Sequence, residues 1–247
     1  MAESKTDRHW KRWAQQDPYH GVLGLGFDKS VIDDPAVSDN FFAQGEEHIA
    51  QVLDDASRVA TPGTGSALDF GCGVGRLVRP LSERFDHVVG VDVSPDMLRI
   101  ARENCPDEAR TTFVESLDDP AVKGRRFDLV HTYIVLQHIR PSQGLPIIDR
   151  LVDLTAPGGV AALHFTVGDI LPRRRRLNWW RYRLPPLHWA YNVRTGRPWN
   201  LPMSEMNAYP MAELLEMLRG RLAQPMVMRS VDNGWHEGIV LIARREG

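Results

Sequence analysis

The chain has 247 residues, 43% of them hydrophobic and 25% charged, with a formal net charge of −2. That composition suits a soluble globular protein with room for one sizeable α/β domain and an insertion, and it argues against general nucleic-acid binding. Two cysteines, Cys72 and Cys105, are too few for a disulfide framework, no Cys/His spacing suits a metal, and the opening MAESKTDRHWKRW has no apolar signal-peptide core. No apolar run approaches the ~18 residues of a membrane span, so a cytoplasmic location is expected.

Residues 1–65 read as a helical lead-in. Its first part, HWKRWAQQDPYHGVLGLGF, is rich in aromatics. A second helix is expected over Asn40 to Ala60, where apolar residues recur near helical spacing before Thr61-Pro62-Gly63 stops the run. The texture changes over 66–167. SALDF (66–70), HVVGVDV (87–93), TTFVE (111–115), FDLVHTY (127–133) and GGVAALHFT (158–166) read as strands. GRLVRPLSERF, SPDMLRIAREN and GLPIIDRLVDLT read as helices between them. Such alternation predicts a parallel sheet with helices on both faces.

Residues 168–210 break the alternation. Between Leu171 and Asn200 lie eight arginines and no acid, leaving 22 basic against 32 acidic residues elsewhere. The positive charge is therefore local. Residues 211–247 supply a last helix, MAELLEMLRG, and two strands, PMVMRSV and GIVLIARR, around Asn233-Gly234. Asn-Gly between apolar runs is a strong hairpin signal.

In LDFGCGVGR the first strand runs into Gly71, Gly73 and Gly75, which let the backbone turn sharply against a ligand at the next helix. A dinucleotide fingerprint would need a small residue where Arg76 stands, and a Walker loop would need Gly-Lys-Ser/Thr. Asp69, ending the strand, suits an ammonium better than a pyrophosphate. Asp92 ends the second strand 21 residues past Gly71, where α/β folds place an acid on ribose hydroxyls.

The segments ALDFGCGVG, VVGVDVSPDML, FDLVHTYIVLQHI and LTAPGGVAALHF resemble the successive motifs of class I S-adenosylmethionine-dependent methyltransferases. The resemblance covers roughly Phe41 to Thr166 plus the terminal hairpin. It implies a Rossmann-like three-layer α/β sandwich. Its seven-stranded, mostly parallel sheet would run 3-2-1-4-5-7-6 with the last strand antiparallel. An N-terminal helical lid and a cap insertion after strand five would flank it. In that reading S-adenosylmethionine is the cofactor and S-adenosylhomocysteine the product. Asp69, Gly71, Cys72, Gly73 and Gly75 hold the methionine part, and Asp92 takes the ribose. Val93 and Met97 flank the adenine, while Glu115, Ser116 and Leu117 lie near its amino edge and Tyr133 closes the site after strand four. The family often has an aspartate where VESLDD stands, so that sequence departs from the pattern. Cys72 reads as a small packing residue, since nothing basic adjoins it to activate a thiol.

Methyl transfer is an in-line displacement, so the protein mainly positions the acceptor and sometimes removes its proton. His138 in LQHI is the best candidate base, with a packing role as the alternative. No Asn/Asp-Pro-Pro-aromatic turn follows strand four, no Pro-Cys nucleophile exists, and Thr132 and Tyr133 stand where metal-dependent relatives carry carboxylates. The expectation is metal-independent methylation of a hydroxyl on a small natural product or sugar. The alternatives are a small-molecule amine, a lipid-linked acceptor at a membrane surface, RNA, or a non-catalytic cofactor-binding regulator. Trp10, Trp13 and Tyr19 of the lead-in are expected to close over the site, His20 and His236 are further base candidates near the acceptor, and Gln44 and Gly45 are expected near the cofactor's amino-acid end. Gln137, Trp180, Asn207, Tyr209 and His236 are expected around the acceptor. The insertion's other aromatics, Trp179, Tyr182, Trp189, Tyr191 and Trp199, suit stacking on a ring or sugar, and its arginines suit an anionic acceptor. A small-molecule acceptor with anionic or aromatic groups is thus favoured over nucleic acid or membrane contact.

Overall fold

A computed structural model describes residues 5–23, 27, 31–169, 180–181, 183–195, 199–201, 206–232 and 236–247. The lead-in forms α1 (Lys5–Gln16), α2 (Pro18–Leu23) and α3 (Pro35–Ser57). Helix α3 begins five residues earlier than its apolar pattern indicates. Asp34 caps it by accepting from the Ala36 N–H at 2.9 Å, and Pro35 needs no donor in the first turn. A cap of this kind stabilises a helix by about 1 kcal/mol.

The central sheet contains β1 (Ser66–Phe70), β2 (His87–Val91), β3 (Thr111–Val114), β4 (Phe127–Thr132), β5 (Thr155–Asp169), β6 (Val227–Asp232) and β7 (His236–Arg244). Their order is β3-β2-β1-β4-β5-β7-β6, and β7 runs antiparallel to both neighbours. Helices α4 (Val78–Ser82), α5 (Pro95–Asn104) and α6 (Pro141–Leu154) connect the parallel strands. Helix α4 is shorter than GRLVRPLSERF suggests, because Gly75 and the turn after it precede the first helical residue. Ser94 caps α5 by accepting from the Met97 N–H, which fixes how that helix leaves the end of β2. The insertion contributes α7 (Pro185–Arg194), and α8 (Met211–Leu218) precedes the final hairpin, whose Asn233-Gly234 turn lies outside the described residues.

Side chains alternate across the sheet, so adjacent residues feed different cores. Leu68, Val89, Val130, Ala161 and Leu241 join a cluster completed by Ile148 and Leu151 of α6 and Leu214 of α8. Their neighbours Ala67, Val88, Leu129, Ala162 and Ile242 join a second cluster with Ile49 and Val52 of α3 and Leu98 of α5. Both faces are therefore covered, which is why these strands are Val/Leu/Ala runs without polar alternation. Asp55, buried on α3, pairs with Arg229 of β6 at 2.7 Å and ties the lead-in to the terminal hairpin. Asp55 also lies 3.4 Å from Arg58, so its buried charge has two cationic partners. Among the described residues no helix is long and apolar enough to cross a membrane.

Candidate active site

The carboxyl ends of β1, β2 and β4 open onto one cavity, roofed by α1 and α2. Thr6, Asp7 and Trp10 of α1 face it, a spacing that puts all three on one side of the helix, together with Gly21 and Val22 of α2. The opposite wall is the glycine loop. Gly71 has φ 77°, and a Cβ there would fall 2.2 Å from Val135 Cγ2, so no other residue lets the β1 and β4 loops meet this closely.

Asp92 stands beside that loop. One carboxylate oxygen accepts from the Gly73 N–H at 3.0 Å and the other from the Ser94 N–H at 2.9 Å. Burial pushes its pKa up to about 6, and the two backbone hydrogen bonds oppose that rise by favouring the ionised form. Asp69, Gly71, Cys72, Gly73, Asp92, Val93, Met97, Glu115, Ser116 and Tyr133 all line the cavity. Cys72 is buried, and desolvation raises its thiol well above the ordinary range, so it is a neutral packing group. Gly75 and Leu117 lie elsewhere. The Cβ position of Gly75 faces Cys105 and Ala101 of α5, and Leu117 belongs to the apolar core under α6.

The β4 side holds a buried polar cluster that sequence reasoning misses. His131 Nδ1 is 2.8 Å from Asp69 Oδ1, and His131 Nε2 is 3.1 Å from Nε2 of His48 on α3. The His48 ring packs on Tyr133 with centroids 3.9 Å apart. Burial, then the neighbouring His131 and Arg76, lowers the His48 pKa to about 2, so His48 is neutral. The chain Asp69–His131–His48 thus holds one oxygen of the Asp69 carboxylate. Ile134 has φ 52°, a strained position for a β-branched residue, and its N–H donates to His164 Nδ1 at 3.1 Å. His164, its pKa lowered to about 3 chiefly by burial, therefore carries its proton on Nε2. The only sequence signal for this cluster is a histidine within the apolar strands FDLVHTY and GGVAALHFT, which burial alone makes notable.

His138 lines the cavity from a 3-10 turn, Leu136–His138, with its ring 4.8 Å from Trp10. Several residues expected around the acceptor brace this turn instead. Gln137 is buried, with its amide 3.2 Å from His138 Nε2 and its oxygen accepting from Thr166 Oγ1 at 3.3 Å. Asn207 donates its backbone N–H to the Gln137 carbonyl at 2.7 Å, and the buried Tyr209 hydroxyl bridges the carbonyls of Leu136 and Ile139. The polar groups of Asn207 and Tyr209 are spent on backbone and those of Gln137 on His138 and Thr166, so all three position the turn and do not line the cavity.

The remaining expected acceptor contacts also lie off the cavity wall. Trp13 is buried and stacks on His20, and Tyr19 packs edge-on against Phe41. Sequence cannot tell which face of α1 turns inward; the packing of α1 and α2 gives Trp10 to the cavity and Trp13 to the interior. His236 opens β7, opposite Asp169, and does not reach the cavity. Helix α7 is anchored by Asn192, whose amide donates to the Leu201 carbonyl at 3.0 Å, and by Arg181 lying 3.5 Å over the Tyr191 ring. Trp180, 51% exposed, and Trp189 and Trp199 face outward. Trp179, Tyr182 and the four consecutive arginines Arg173 to Arg176 lie outside the described residues.

Residues 67–159 match the model of a family described as "Methyltransferase domain". The chain is similar to an uncharacterized methyltransferase of Synechocystis sp., 36% identical over 120 residues that cover 48% of this chain and 54% of that protein. It is also similar to trans-aconitate 2-methyltransferase of Methylobacterium radiotolerans, 35% identical over 133 residues, 52% of this chain and 47% of that protein. The chain thus spans about half the length of these curated relatives. In fold it is similar to the N-methyltransferase NodS from Bradyrhizobium japonicum solved with S-adenosyl-L-homocysteine, with a TM-score of 0.58, 16% identity, and coverage of 99% and 100%. The family match spans residues 67–159, and the strand order 3-2-1-4-5-7-6 is the one that the resemblance to class I S-adenosylmethionine-dependent methyltransferases implies.

Proposed function

We propose that this protein is an enzyme that uses S-adenosylmethionine to methylate a hydroxyl of a small molecule. The observation that carries the reading is Asp92, a buried carboxylate whose two oxygens are each oriented by a backbone N–H at the mouth of the glycine loop. So costly a desolvation is understandable where a ligand's donors complete the shell, and a ribose diol supplies two. The cavity fits the remainder of the cofactor. Val93 and Met97 offer apolar surface for an adenine, Glu115 and Ser116 lie at its edge, and Asp69 offers a negative charge to an ammonium.

When bound, S-adenosylmethionine would supply an electrophilic methyl on a sulfonium, transferable in line to an acceptor oxygen with the neutral thioether of S-adenosylhomocysteine as leaving group. The protein's work is to hold both partners, exclude water and manage one proton. Trp10 and the rest of the α1 face cover the cavity against solvent. His138 stands on the β4 side with its ring fixed between Trp10 and the Gln137 amide. The imidazole takes the proton of the acceptor hydroxyl, and the Gln137 amide facing Nε2 biases its tautomer. A cytoplasmic enzyme acting on a soluble acceptor is part of the same reading.

The test is direct. The purified chain should bind S-adenosylhomocysteine by calorimetry and release it from S-adenosylmethionine when offered hydroxylated sugars or phenols. Absence of nucleoside binding would overturn the cofactor assignment. Release only with amines, with RNA, or with acceptors carried on vesicles would move the acceptor to those classes. Binding without turnover on any class would favour a non-catalytic regulator.

A further inference from the structure

Arg76 is the strongest unexplained feature of the cavity. It is 3% exposed, yet no hydrogen bond or ion pair among the described residues engages its guanidinium, and its Nε is fully buried without a partner. A buried cation without a counter-ion is costly, and native structures keep one only when something completes it. Neutralisation does not relieve the cost, because burial lowers its pKa only to about 10. The Phe41 ring, 5.7 Å from the guanidinium carbon, gives partial compensation through its face.

Asp69 is the obvious partner and does not serve. The two side chains are close enough to feel each other's charge, but one oxygen of the Asp69 carboxylate is held by His131, which is backed by His48, and no ion pair with Arg76 is present among the described residues. The result is a carboxylate and a guanidinium that both line the cavity without pairing with each other. Arg76 cannot easily swing away. Helix α3 presses on it through Gly45, where a Cβ would meet the Arg76 carbonyl oxygen at 2.7 Å and its Cγ at 3.0 Å.

A negative and a positive group fixed side by side complement a zwitterion, in which an ammonium and a carboxylate share one carbon. We propose that Arg76 is the binding residue for the α-carboxylate of the cofactor's methionine end, so that Asp69 and Arg76 together form a receptor for an α-amino acid. This rests on the S-adenosylmethionine reading above. It gives a function to the residue that departs from a dinucleotide fingerprint in GCGVGR.

The experiment compares S-adenosylhomocysteine with 5′-methylthioadenosine, which keeps the nucleoside and sulfur but lacks the amino acid. In Arg76→Gln, calorimetry should show S-adenosylhomocysteine weakened at least tenfold and 5′-methylthioadenosine changed less than twofold. Arg76→Lys should recover part of the loss. Arg76→Met should melt no lower than the wild type without ligand, since it removes an uncompensated buried charge, and should lose most of the thermal shift that S-adenosylhomocysteine gives. Unchanged S-adenosylhomocysteine binding, or an equal fall for both nucleosides, would overturn the proposal. So would unfolding of all three variants, which would mark Arg76 as structural. A wild type that binds neither nucleoside would sink the cofactor reading itself, whereas binding of both with no Arg76 dependence would sink only this inference.

Discussion

The two walls of the cavity are built on different principles. On the β1/β2 wall the ligand-facing groups are mostly backbone, with one carboxylate, Asp92, locked by the N–H groups of Gly73 and Ser94. On the β4 wall they are side chains held by other side chains: Asp69 by His131 and His48, and His138 by Gln137, with Asn207 and Tyr209 underneath. The first wall is made within about 25 residues of chain, from Gly71 to Ser94. The second draws on α1, α3, β1, β4, β5 and the segment after the insertion. A wall made locally can be the same for every acceptor. One assembled from distant parts is where acceptor choice and proton handling can vary.

The largest effect should come from the local wall. Asp92→Ala removes the carboxylate that would take two ribose hydroxyls. At roughly 1.5 kcal/mol or more for each charge-assisted bond, S-adenosylhomocysteine affinity should fall about 100-fold or more by calorimetry. A small change would mean that the backbone alone binds the nucleoside. Next comes the assembled wall. His138→Ala should lower turnover at least ~10-fold while leaving S-adenosylhomocysteine affinity as it was, a split that marks proton transfer and not cofactor binding. Turnover near the wild-type level would reduce His138 to packing against Trp10.

A pH series sharpens the same contrast. The Asp92 pKa of about 6 lies above its ordinary value, so the ligand-free folded protein holds this proton more tightly than the unfolded chain does. At this group, then, folding stability falls as pH rises from about 4 to about 6. Ligand hydroxyls need the ionised form, so affinity should run the other way, dropping about tenfold per pH unit below about 6 and levelling above it. Asp92→Asn should flatten that profile. The smallest effect should follow Tyr209→Phe, which strips the shared donor from the Leu136 and Ile139 carbonyls. It should cost about 1 kcal/mol in urea unfolding and leave nucleoside binding unchanged. A matching loss of S-adenosylhomocysteine affinity would show that the two walls are coupled.

The legible part of the site was the part whose chemistry needs a particular residue at a particular local spacing. Gly71 declares itself because only glycine tolerates both its φ and the approach of Val135, and Asp92 because a strand-ending acid has few structural reasons to exist. The histidine chain was not legible. His48 and His131 are separated by 83 residues, and each alone looks like an ordinary helix or strand residue. The lead-in was half legible: its aromatics announce a cover, but helical phase decides that Trp10 faces the cavity while Trp13 packs inside. Asn207 and Tyr209 mislead for a related reason, since polar residues near a site look like ligand contacts until their partners are known to be carbonyls.

Sequence by itself determined the alternation of strands and helices, the parallel sheet and its antiparallel hairpin, the glycine loop and the acid at the end of β2. All of these follow from periodicity and from backbone conformations that few residues permit. Only the tertiary structure decided which face of α1 roofs the cavity, which side chains brace His138, and that Asp69 bonds His131 while Arg76 is left without a partner among the described residues. Pairing between distant charges depends on where packing puts them, and local sequence carries no record of that distance.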